Sequence, residues 1–278
     1  GTFDATGATI EMNSGSRLEL AGTVSNLGTL DAAEGTVEYD GGTQDVLADA
    51  YYNLEIDESG VKTSLGTVSA AGTLTVGSGA TYAIAATTTT VTGNSDINGA
   101  FTASTGEYDA DGAFDATGGS ITFSGAGELR VSGAVTSLGT LGTSAGSIEY
   151  DGGTQNVLAD AYYNLEIAES GVKTAQGTVT AAGTLTVGSG ATYAIAATST
   201  TVTGSTDING TLTASTGTFD ANGAFDANGG NVTFSGDGRL QCSNTVTNLG
   251  TLSTDNGTVE YDGGTQTIFT DTYNNLEI

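Results

Sequence analysis

The residues best placed to do chemistry are carboxylates and amides set just before glycines. Asp96-Ile97-Asn98-Gly99, Asp207-Ile208-Asn209-Gly210 and Asp109-Ala110-Asp111-Gly112 each put oxygen ligands at alternate positions ahead of a turn. Hard oxygen donors spaced this way could hold Ca²⁺, although no twelve-residue EF-hand loop is present. Asp96, Asn98, Asp109, Asp111, Asp207 and Asn209 are therefore the candidate metal ligands. The competing reading is that Asp and Asn before Gly form turns and nothing more. A second set, Asp40, Asp49 and Asp57 with counterparts Asp151 and Asp160, raises paired-carboxylate glycoside chemistry. Against it, Asp57 becomes Ala168 and Asp45 becomes Asn156 where the sequence repeats.

Other chemistries are excluded by what the chain lacks. It has no His, one Cys and no Pro among 278 residues. Nucleophile–base catalysis and His/Cys zinc or copper sites have no residues to use. No Gly-x4-Gly-Lys-Ser/Thr phosphate loop occurs. Asp and Glu number 32 against five Lys and Arg, for a net charge of −27. That charge repels nucleic acid and anionic membrane surfaces. It suits either plain solubility or a life among salts and divalent cations. No apolar run approaches the ~20 residues of a spanning helix, so no membrane insertion is expected in this segment. The expectation is a chain that is not an enzyme and carries no cofactor, Ca²⁺ excepted.

The elements that would position these residues come from a long internal repeat. Tyr39–Ile56 reads YDGGTQDVLADAYYNLEI; it returns at Tyr150–Ile167 with one change and at Tyr261–Ile278 with several, at an offset of 111 both times. The cassettes are residues 1–111, 112–222 and a partial 223–278, expected to form one continuous solenoid. The sequence begins and ends inside a cassette, so the expectation is a piece of a longer chain. Runs such as Val37-Glu38-Tyr39 and Ile121-Thr122-Phe123 alternate with period two, the strand signal. Glycines recur every six or seven residues between them.

Two all-β architectures accommodate a 111-residue period. A string of immunoglobulin-like sandwiches would show linkers, prolines or a large buried anchor. A parallel β-helix pairs every strand on both sides, which forbids proline within its ladders and demands sharp glycine corners. The absence of Pro and the glycine rhythm favour the β-helix, three-sided and right-handed. Glycine steps cut one cassette into about 17 segments, whereas whole three-sided coils need 15 or 18. The expectation is six coils of about 18–19 residues, or five of about 22. Val37, Tyr39, Leu54, Ile56, Phe114, Ile121 and Phe123 are expected in the core.

In Arg17-Leu18-Glu19-Leu20 the leucines point one way and the charges the other. The second copy reads Glu128-Leu129-Arg130-Val131 and the third Arg239-Leu240-Gln241-Cys242. The swapped charges suggest an ion pair between outward side chains two apart on one strand. Cys242 falls in an apolar slot and is expected to be a small buried hydrophobe. Thr87–Thr90 is a short threonine cluster rather than a ladder on every coil, which weighs against ice binding.

Tyr51-Tyr52-Asn53-Leu54-Glu55-Ile56, Ser59-Gly60-Val61-Lys62-Thr63, Gly66-Thr67-Val68 and Gly72-Thr73-Leu74-Thr75-Val76 resemble the repeats of large bacterial surface proteins, the adhesin-like, filamentous-haemagglutinin-like β-helical proteins. Gly42-Thr43-Gln44-Asp45-Val46 resembles their Gly-x-Gln-x-Val element. The resemblance implies secretion to the cell surface, a parallel β-helix, and a role as stalk, filament or adhesin shaft. The expected partners are other copies, end to end or side by side, and surface glycans. An acidic sleeve would keep neighbours apart at low salt and allow bundling at high salt or with divalent cations. The alternatives are a glycan-binding module, for which Tyr51, Tyr52, Tyr162 and Tyr163 are the only aromatic cluster, and a polysaccharide-degrading β-helix enzyme.

Overall fold

A computed structural model describes residues 1–278 except Ala32, Thr143 and Thr254. Among the described residues there is no helix; short strands of two to five residues follow one another round a three-sided parallel β-solenoid. The chain divides into two compact units, Gly1–Gly146 and Ser147–Ile278, a boundary that falls inside the second cassette.

In the first unit most strands pair, always in parallel, with the third strand after them; Thr23–Asn26 and Thr29–Asp31 pair only with the third strand before them. Thr36–Tyr39 lies on Asn53–Ile56, then Leu74–Val76, Ser95–Ile97 and Phe114–Asp115. A second side stacks Gln44–Val46, Gly60–Ser64, Ala80–Ile84, Ala100–Ala103 and Ser120–Phe123. A third stacks Ala50–Tyr51, Val68–Ala70, Thr88–Val91, Glu107–Ala110 and Glu128–Val131. The second unit repeats the scheme, with Gly171–Ala175, Ala191–Ile195, Thr211–Ala214 and Asn231–Phe234 on one of its sides. Every backbone N–H and C=O within such a ladder finds a partner one coil away, so short strands suffice.

The alternation places the core as expected. Tyr39, Ile56 and Ile121 are fully buried, and Val37, Leu54, Phe114 and Phe123 nearly so. Phe101 stacks edge-on against Tyr108 with ring centroids 5.1 Å apart, an arrangement that adds about 1 kcal/mol beyond area burial. Cys242 is buried, and burial pushes its thiol up to about 12.

The coil count differs from expectation. Seventeen strands separate Arg17–Glu19 from its counterpart Glu128–Val131. Seventeen is not divisible by three, so a cassette contains neither five nor six whole coils. The counterpart strands consequently lie on different sides. Arg17–Glu19 stacks on Thr36–Tyr39, whereas Glu128–Val131 stacks on Glu107–Ala110. The same happens within the second unit, where Ser147–Tyr150 and Thr258–Tyr261 occupy different sheets. Counting segments by glycine was sound; requiring them to close into whole coils was not.

Candidate functional surfaces

The Tyr39–Ile56 coil and its copies are short, advancing 17 residues where neighbouring coils advance about 20. Inward polar side chains hold the coil together. The Tyr39 and Tyr51 hydroxyls are 3.0 Å apart. The Tyr51 hydroxyl donates to the Leu47 carbonyl, and Leu47 N–H donates to the Tyr39 oxygen. Gln44 Oε1 accepts from Gly41 N–H while its Nε2 donates down to the Leu20 and Gly22 carbonyls of the preceding coil. The second and third copies repeat the tyrosine pair as Tyr150–Tyr162 and Tyr261–Tyr273. Burial raises the phenols of Tyr39, Tyr51, Tyr150, Tyr162 and Tyr273; Tyr150 is pushed up to about 12.

Two lysines complete the set. Lys62 and Lys173 are both 0 % exposed. Lys62 Nζ donates to the Asp57 and Glu58 carbonyls, and Lys173 Nζ to those of Ala168, Glu169 and Ser170. Each ties down a corner in which a non-glycine residue, Glu58 or Glu169, takes positive φ. Desolvation lowers the lysine pKa, opposed by the nearby carboxylates of Asp57, Glu58 and Asp40 at Lys62. Sequence reasoning placed these lysines at one repeated position but missed their burial.

The outward residues sort by side. In the first unit one rank runs Glu19, Glu38, Glu55, Thr75, Asp96, Asp115 along successive coils. In the second unit the rank is Glu149, Glu166, Thr186, Asp207, Asp226. Arginine neutralises part of the first rank. Arg17 Nε lies 2.7 Å from Glu38 and Nη2 lies 2.8 Å from Glu55. On another side of the second unit Arg239 meets Glu260, at 2.6 Å, and Glu277. The hydrogen bonds from Gln241 and Arg239 hold the Glu260 carboxyl below the usual range. The expected pairing within one strand is present at Arg17 and Glu19, but shorter partners lie on neighbouring coils. Arg17 sits 3.7 Å from Glu19, farther than from either partner above it. Arg130 bonds Glu107 at 3.4 Å, one coil back. Adjacent coils are about 4.8 Å apart, closer than residues two apart along a strand, which are about 6.6 Å apart.

Glu38, Glu55 and Asp57 bring carboxylate oxygens within 4.8 Å of one another, but Arg17 already occupies the first two. The sequence-derived calcium ligands lie apart from this group. Asp96 and Asn98 are exposed, and Asn98 Nδ2 donates to Asp96 Oδ1 at 2.7 Å. Asp207 and Asn209 hold the equivalent exposed places. Asp109 lies on another side, in register with Arg130, with exposed Asp111 at the corner after it. Of the paired-carboxylate candidates, Asp40 and Asp57 follow registered residues on adjacent coils beside Lys62, whereas Asp49 and Asp160 lie elsewhere and cap the N–H groups of Ala50 and Ala161. Of the aromatic cluster, Tyr51 and Tyr162 are buried in the clamp, leaving Tyr52 half-buried and Tyr163 36 % exposed.

A different side is almost free of charge: its one charged outward residue is Asp45, in register with Thr63, and the second unit has Asn156 at the equivalent place. In the first unit its outward ranks are Val61, Thr81, Ala100, Ser120 and Thr63, Ala83, Thr102, Thr122. In the second unit they are Val172, Thr192, Thr211, Asn231 and Thr174, Ala194, Thr213, Thr233. The segregation was invisible to sequence reasoning because it requires the register between coils.

What this arrangement defines is a class: a parallel three-sided β-solenoid, each unit acidic on one side and nearly uncharged on another. Comparison with known protein families, with curated proteins and with solved structures finds no match for this chain.

Proposed function

We propose that this chain is a structural segment of an extracellular bacterial surface protein, lengthening a stalk, filament or adhesin shaft by copying one cassette. The observation that carries this reading is where the interior polar groups go. The buried Tyr, Gln and Lys side chains of each clamp are engaged with backbone groups of their own or the preceding coil. Chemistry of that kind maintains a scaffold rather than turning over a substrate. The outward carboxylates favour the same reading, since they run along ranks, and where Glu38, Glu55 and Asp57 do converge Arg17 is bonded to the first two. Glycan binding is weaker than it was from sequence, because half of its aromatic cluster is buried.

Electron microscopy of the native material tests the proposal. Fibres or cell-bound spikes containing this chain are the expected result. Release of reducing ends from bacterial or plant polysaccharides by the purified chain would overturn it.

A further inference from the structure

We propose that the uncharged side of each unit is a self-association surface, on which a second copy of this chain packs side by side. The argument begins with charge. The chain carries −27 overall, so two copies approaching through their acidic ranks repel. Only the side built from Val61, Thr63, Thr81, Ala83, Thr102 and their neighbours, and its counterpart in the second unit, presents ranks that stay uncharged over successive coils, Asp45 at the first strand of the first unit's side being the exception and Asn156 its neutral counterpart. Identical faces of this kind let two copies meet with their carboxylates turned outward, which is the electrostatic complementarity available to like-charged chains.

Exposed apolar residues coincide with the same side. Val61 is 40 % exposed, Leu65 just beyond that strand 56 %, and Val172 40 %. Apart from Tyr163, the remaining large exposed hydrophobics are Ile268, Leu276 and Ile278 in the final coil. A shallow trough with mainly apolar walls runs over Ala83, Ala85, Thr102 and Ser104 on this side. The face is also self-matching. Its ranks recur with the coil spacing of about 4.8 Å, so a second copy brings side chains of the same period, and small Thr and Ala residues admit close sheet-on-sheet approach.

Area sets the strength. Four registered strands at that spacing, with two outward ranks and their corners, cover about 350 Å² per copy, under half of the ~800 Å² per partner in a stable interface. Pairing through one unit is therefore weak, depends on screening of the acidic ranks, and strengthens when several cassettes engage together.

Sedimentation velocity on the whole chain, from low to molar NaCl, tests this. The wild type is expected to be monomeric at low salt and to associate with rising concentration at high salt. T102E with T213E, one on each uncharged side, is expected to remain monomeric. T90E with T201E, on strands of another side, is expected to associate like the wild type. Matching melting curves establish that all three are folded. A wild type that stays monomeric to molar salt overturns the proposal without reference to any variant. So does association that T102E/T213E leaves intact, or that requires Ca²⁺ at matched ionic strength. A monomer whose uncharged side instead retains it on cellulose or chitin, or produces thermal hysteresis, assigns the face to a flat lattice and overturns the second copy as occupant. None of these results touches the structural reading above, since a shaft can serve without pairing sideways.

Discussion

The Tyr39–Ile56 coil and the plain coils that follow it close the same corner by opposite means. In the plain coils the corner is a column of glycines. A Cβ on Gly93 would lie 1.9 Å from the Gly72 carbonyl oxygen, one on Gly112 would lie 2.1 Å from that of Gly93, and one on Gly133 would lie 2.1 Å from that of Gly112. In the shorter coil the same corner holds Tyr52 and Asn53, and Asn53 Oδ1 accepts from Thr73 N–H, 2.8 Å away in the coil above. One solution removes every side chain so that backbones touch. The other keeps side chains and makes each one a substitute for a missing backbone partner. A solenoid can therefore vary its coil length, provided each departure brings its own polar groups.

The comparison breaks most visibly at the glycine column. Gly93→Val forces a side chain into a carbonyl that cannot retreat without separating two coils. The expected cost is more than about 3 kcal/mol, the range of overpacked or strained interiors. Urea unfolding measures it. A cost below about 1 kcal/mol would mean that the column is loosely stacked. At the clamp, Lys62→Met keeps the volume and the apolar stem but leaves the Asp57 and Glu58 carbonyls without the ammonium. An expected loss of about 2 kcal/mol follows from removing a charge-assisted donor to buried acceptors. The same assay checks it, and an unchanged midpoint would show that water serves these carbonyls equally well.

Much of the architecture was readable before any coordinates, and the failures share a cause. Val37, Tyr39, Leu54 and Ile56 were assigned to the interior because period-two alternation fixes their side, and all four are buried. The same rule misleads at Val61-Lys62-Thr63, where polarity suggests that Val61 faces in. In the structure Val61 is exposed and Lys62 enclosed, because the corner before it needs a long donor more than the core needs another valine. The repeat period measures distance along the chain and carries no angle, so it could not reveal that Glu128–Val131 has moved to another side from Arg17–Glu19. The arginine partners were missed for the same reason. Glu38 and Glu55 are distant in sequence and become neighbours only through the stacking of coils. The calcium candidates were grouped by their shared spelling before glycine, and the register separates Asp96 from Asp109.

Alkaline pH sharpens the contrast, because the clamp is rich in phenols. Tyr82 and Tyr150 are pushed up to about 12 by burial, and Tyr39, Tyr51 and Tyr162 are also raised. In the unfolded chain these groups ionise near pH 10. The folded state therefore holds protons that the unfolded state releases. Stability is unaffected below about pH 10 and falls as pH rises from there toward 12. The lysines act in the opposite sense. Their lowered values mean that folding is relieved of a buried charge between the depressed pKa and 10.5, a gain that two groups set against the larger number of tyrosines. Tyrosinate absorbance is expected to rise in one cooperative step coincident with loss of circular dichroism. A gradual rise with the fold intact would show that the clamp opens locally.

The smallest effect belongs to the acidic side. Arg17→Met removes the cation from Glu38 and Glu55, yet the Arg17 side chain is 40 % exposed. Surface pairs contribute about 0–1 kcal/mol, and Glu38, the more enclosed partner, places this one near the upper end. The molecule contains a natural precedent, because the second cassette carries Glu128 where the first has Arg17 and moves its arginine to Arg130. A cassette that accepts the reversal in sequence is not expected to collapse when the charge is merely removed. The loss should shrink as NaCl screens the rank, since the Debye length drops from about 10 Å at 0.1 M to about 3 Å at 1 M. A loss that persists at molar salt would mean that Arg17 acts through the packing of its stem over the coil edge. The acidic side would then resemble the clamp, with a long side chain holding coils together, more than a solvated surface.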